Sequence, residues 1–67
     1  MDYEKLAEAY AKEGKLFKAL VAIDLMQKRT EWRCGEIIRQ AVTDVLKVAN
    51  LPYEVARHSR GYVVRLL

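Results

Sequence analysis

Cys34 follows Arg33, and a cation beside a thiol is the arrangement that lowers its pKa and makes it a nucleophile. The single imidazole available to it as a base is His58, which falls in a turn-like stretch far along the chain. Cys34 therefore reads as a small, half-buried residue at a helix start, not as a catalytic thiolate. Glu36 with Asp44, and Glu31 with Glu36, are the carboxylate pairs that general acid–base chemistry would use. Bases are interspersed among them, which is the pattern of a solvated charged helix face. Gly14-Lys15 lacks the rest of a phosphate-binding loop. One cysteine and one histidine can neither close a disulfide within the chain nor complete a structural zinc site. The expectation is no enzyme, no metal and no cofactor.

The cations are the more informative residues. Twelve Lys+Arg oppose nine Asp+Glu, a formal net charge of +3. The first fifteen residues are slightly acidic, and the excess sits in two segments, one from Lys28 to Arg39 and one from Glu54 to the end. Lys28, Arg29, Arg33 and Arg39 form the first group; Arg57, His58 and Arg60 cluster in the second. Basic residues grouped this way are the electrostatic footprint of a nucleic-acid partner, and arginine suits both phosphate and groove contacts.

The run Arg57-His58-Ser59-Arg60-Gly61-Tyr62 resembles the wing of winged-helix DNA-binding domains, in which a Gly-Tyr step often follows basic residues. The resemblance covers about the last dozen residues and implies a DNA-contacting hairpin. Glu36 to Asn50 has the length of one helix, not of the two that a helix-turn-helix requires. The competing reading is a compact protein-binding inhibitor or adaptor, of the kind encoded by phages and mobile elements to act on a host protein. Trp32, Arg33 and Tyr62 would carry it, because aromatic residues beside arginine are enriched at binding hot spots. Trp32 sits in a polar stretch compatible with partial exposure, and the reading set against this is that it caps the bottom of a small core.

These residues need elements to hold them. Tyr3, Leu6, Ala7, Tyr10 and Ala11 follow the spacing of one helical face, with Asp2 as N-cap and Gly14 as the stop. Leu16 to Lys28 is helical and apolar nearly all round, so it is either the centre of the fold or half of a homodimer interface. Thr30 is the candidate cap of a third helix, best defined from Glu36 to Asn50. Ile37, Ile38, Ala41, Val42, Val45, Leu46, Val48 and Ala49 form its apolar face, with Thr43 among the polar residues opposite. Pro52 prevents its continuation.

From Tyr53 onward the period changes from 3.6 to 2, and Ser59-Arg60 marks a hairpin. Only an even loop sets Tyr53 and Val55 on one face with Tyr62, Val64 and Leu66, and a four-residue loop places Glu54 opposite Arg65. The predicted fold is α+β, α-α-α-β-β, one small domain over residues 1–67. Acidic residues near the start and the absence of long apolar runs give the expectation of no secretory leader and no membrane span, and a lone cysteine fits a reducing, cytoplasmic setting. The expected function is a small non-enzymatic regulatory module that binds nucleic acid through the hairpin and the segment before the third helix.

Overall fold

All three helices stop by the same device. A computed structural model describes residues 1–67 in the order α1 (Tyr3–Lys12), α2 (Leu16–Met26), β1 (Glu31–Cys34), α3 (Glu36–Val48), β2 (Tyr53–His58) and β3 (Gly61–Leu66). After α1 the chain enters the left-handed region at Gly14 (φ 75°), where the Gly14 N–H donates to Ala11 O and the Lys15 N–H to Tyr10 O. Lys28 (φ 67°) and Asn50 (φ 59°) do the same after α2 and α3, each closing the equivalent pair of backbone bonds. Asparagine tolerates this conformation; lysine takes it at a cost of about 1 kcal/mol. At the other end of α1, Asp2 caps as expected, its Oδ1 accepting from the Lys5 N–H at 3.1 Å.

The fold is mixed α+β, with the three helices and the C-terminal hairpin where the periodicities place them. One element was not foreseen. Thr30 does not cap α3; Glu31–Cys34 forms β1, and the sheet has three antiparallel strands in the order β1-β3-β2, not two. β3 is therefore the central strand, pairing Trp32 with Val64 and Cys34 with Tyr62 on one side. On its other side Tyr53 faces Leu66, Val55 faces Val64 and Glu54 faces Arg65. That is the even-loop register, closed by a turn at Ser59-Arg60 with His58 paired to Gly61. Neither turn residue takes a positive φ.

Alternation gives the sheet two unlike faces. Trp32, Val64, Leu66 and Tyr53 point into the core with Val42, Val45 and Leu46 of α3, Leu25 and Val21 of α2, and Tyr10 of α1. Trp32 is 2% exposed, so of its two readings the core one holds and partial exposure is set aside. The burial has a physical cause in α2. Asp24, the one acid in that apolar helix, accepts from Trp32 Nε1 at 3.0 Å and pairs with Arg29 at 3.2 Å, joining the end of α2 to β1. Arg29 also donates to Glu31 O at 2.8 Å and lies over the Trp32 ring.

α2 is not enclosed on all sides. Ala19, Val21, Ala22 and Leu25 are buried, whereas Leu16, Phe17 and Leu20 are exposed. On α3, Thr43 is buried with its hydroxyl donating to Gln40 O, while Ile37 and Val48 are exposed, which shifts the buried face from the one expected. No helix is long and apolar enough to cross a membrane.

Candidate nucleic-acid interface

The face of the sheet turned away from the helices carries Glu31 and Arg33 from β1, Val63 and Arg65 from β3, and Glu54, Ala56 and His58 from β2. Its charges are graded along the strands. At the end away from the turn, Glu31, Arg65 and Glu54 lie side by side, and Arg65 pairs with Glu54. That ion pair, and Glu31 beyond it, hold the Arg65 guanidinium above its ordinary pKa. Two carboxylates around one arginine leave this end no anion affinity.

Toward the turn the sign changes. Arg33, His58 and Arg60 line one cavity of about 380 Å³ with Cys34, Gly61, Tyr62 and Val63, and no carboxylate lines it. Arg33 is 81% exposed at its side chain, and its contact with Glu31 at 3.5 Å is a solvent-screened pair that leaves its donors available. Arg57 lies opposite Tyr62 in register, on the other face of the hairpin. Arg29, Arg33, Arg39 and Arg65 each pair with a carboxylate, and Arg57 and Arg60 do not. Both unpaired arginines are thus at the hairpin tip.

The tip is fixed to α3 by a small polar cluster. Arg39 pairs with Glu36 one turn before it and stacks over the Tyr62 ring at 5.1 Å. Glu36 is held below the ordinary carboxylate pKa, first by the Arg39 guanidinium and then by the neighbouring Tyr62 hydroxyl, with Arg57 adding a weaker pull. The same ion pair raises Arg39. Gly61 completes the attachment. Its φ of 155° and its position over β1 leave no room for a side chain, because a Cβ there would lie 2.5 Å from the Cys34 carbonyl oxygen.

The seven cations expected to act together are divided by this geometry. Arg33, Arg57, His58 and Arg60 gather at the tip end of the sheet. Arg39 is adjacent but spends its charge on Glu36. Lys28 and Arg29 precede β1 at the opposite end of the sheet, and Arg29 is committed to Asp24 and Trp32. Of the residues proposed for protein binding, Trp32 is buried and Tyr62 is half-buried beneath Arg39, so Arg33 alone is freely presented. Residues missed from sequence are Gly61 and Glu36 as the supports of the tip; the Glu36–Arg39 spacing of i, i+3 was the available signal.

Burial pushes the Cys34 thiol up, outweighing the pull of Arg39 and Arg29, which is the opposite of what a nucleophile needs. No group of three or more His, Cys, Asp or Glu side chains is close enough together to hold a metal ion. In comparisons with known proteins, the chain matches no family model, no curated protein and no solved structure.

Proposed function

We propose that the protein is a small, non-enzymatic, cytoplasmic nucleic-acid-binding module that engages the phosphate backbone through its hairpin tip. One observation carries the reading. The two arginines without a carboxylate partner within ion-pair distance, Arg57 and Arg60, both sit at the tip: Arg60 lines, with Arg33 and His58, a cavity that no acid lines, and Arg57 stands on the other face of the hairpin. Unpaired cations on a rigid support contact phosphates without first breaking an internal ion pair, and each neutralised phosphate releases condensed counterions. Lys28 and Arg29 are left out of this interface, and the wing-like run Arg57–Tyr62 supplies it. The protein-binding alternative retains only Arg33 from its original residues.

Binding of a short labelled duplex, followed by fluorescence anisotropy across a salt series, tests the reading. The affinity should fall steeply with salt, and Arg57→Ala with Arg60→Ala should lower the log–log salt slope by about 2. Absence of binding at low salt, or a slope untouched by the double substitution, would overturn it.

A further inference from the structure

α2 presents two opposite apolar faces, and only one is used. Val21, Ala22 and Leu25 point into the core. Leu16, Leu20 and Ile23, at i, i+4 and i+7, form a second stripe on the far side of the helix. Leu16 is 64% exposed, Leu20 56%, and Phe17 beside them 51%. Ile37, 73% exposed in the first turn of α3, continues the patch across a groove shared with Leu16 and Phe17.

These fractions of large apolar side chains amount to roughly 500 Å², near the upper end of what a monomer leaves in one patch. The chain as a whole exposes 4713 Å², against roughly 4,400 Å² for a folded monomer of this mass.

We infer that this patch is where a second copy of the chain docks, α2 against α2 across a two-fold axis near Leu20. Three observations select a copy of itself as the occupant. The stripe is self-complementary: antiparallel superposition with the axis passing between Ala19 and Leu20 sets Leu16 of one copy against Ile23 of the other, and the reverse, as an isologous interface requires. The rim is self-neutral. Lys15 pairs with Glu13 at 2.8 Å and Lys18 with Asp44 at 3.5 Å, so the patch neither repels its own copy nor offers a charge for an acidic or basic partner to read. The area is sufficient, since two such patches bury about 1,000 Å² in total, where specific interfaces begin.

The patch is built on helices, and none of the tip cations belongs to it. The inference therefore stands independently of nucleic-acid binding.

Sedimentation equilibrium of the full chain over a wide concentration range decides the matter. The expected result is a reversible monomer–dimer equilibrium in the micromolar range. Leu20→Glu should raise the dissociation constant by roughly 100-fold, because a two-fold interface feels the substitution twice. Ile37→Lys, on a separate helix, should weaken the dimer as well, and it serves if Leu20→Glu fails to fold; circular dichroism of each monomer checks this. A chain that stays monomeric at the highest concentrations overturns the inference. So does a dimer that survives both substitutions, which would move the contact elsewhere, for example to the free edge of β2.

Discussion

Asp24 stands in the last turn of α2, where a carboxylate is disfavoured by the negative end of the helix dipole and where alanine has the better helix propensity. On local grounds alone, Asp24→Ala should stabilise the protein by about 0.5–1 kcal/mol. The tertiary structure reverses the sign. Removal of the carboxylate leaves the Trp32 indole N–H, on a side chain 2% exposed, without its acceptor at 3.0 Å. A hydrogen bond to a charged group contributes about 1.5–3 kcal/mol, and the solvent-screened pair with Arg29 adds about 0.2–1 kcal/mol. After subtraction of the local gain, Asp24→Ala should cost roughly 1–3 kcal/mol. Against a total stability of roughly 3–10 kcal/mol for a domain of this length, that is a large fraction.

Asp24→Asn keeps an oxygen to accept from the indole and loses the charge, so its cost should be about 1 kcal/mol. Urea unfolding followed by far-ultraviolet circular dichroism measures both, and each kcal/mol should lower Tm by about 4–8 °C. A double-mutant cycle with Trp32→Phe isolates the contact, with an expected coupling of about 1–2 kcal/mol. A stabilised Asp24→Ala variant, or a coupling below about 0.5 kcal/mol, would refute the role assigned to this bond.

Two further outcomes follow from the attachment of the tip. Gly61→Ala should cost about 1–3 kcal/mol and loosen the pairing of Cys34 with Tyr62, because the added Cβ meets the Cys34 carbonyl at 2.5 Å; amide exchange in β1 faster than in β2 reports it. Glu36 has its pKa lowered from 4.5, so its contribution is present above that value and is lost as pH falls through the lower folded value; Tyr62 ring resonances should accordingly hold steady from neutral pH to about pH 4.5 and move below it, and a transition near neutrality would contradict the Glu36–Tyr62 contact.

The helices were legible because each signal is local. Asp2, Gly14 and Asn50 mark ends by their own backbone chemistry, and a 3.6-residue period needs no distant partner. The hairpin register was legible because parity alone sets Tyr53, Val55, Tyr62, Val64 and Leu66 on one face. β1 was not legible, since Glu-Trp-Arg-Cys is too short to establish a period and its hydrogen-bonding partner lies some thirty residues later. The trace it did leave was Asp24, a carboxylate that an apolar helix would not carry without a partner. Misplacing β1 also misgrouped the cations, because residues close in sequence from Lys28 to Arg39 are spread along a strand and around the first turn of α3.

β1 also limits what the tip can do. Cys34 pairs with Tyr62, so the sheet supports the hairpin almost to its end, and beyond that row lie only the His58–Gly61 pair and the turn. The cations are held on a short, stiff stub, not on a long flexible arm. A minor groove about 7.5 Å deep is read by an arm or a wedge that enters it, and a stub one residue pair long enters little of it. Phosphates line the groove rims and meet such a surface without any insertion. The stiffness has a matching benefit, because Arg39, Glu36 and Gly61 order the support before any partner arrives and less entropy is lost on contact. A tip of this form suits contacts that position a protein on a backbone, and sequence preference would have to come from elsewhere, such as the spacing between two hairpins in a dimer.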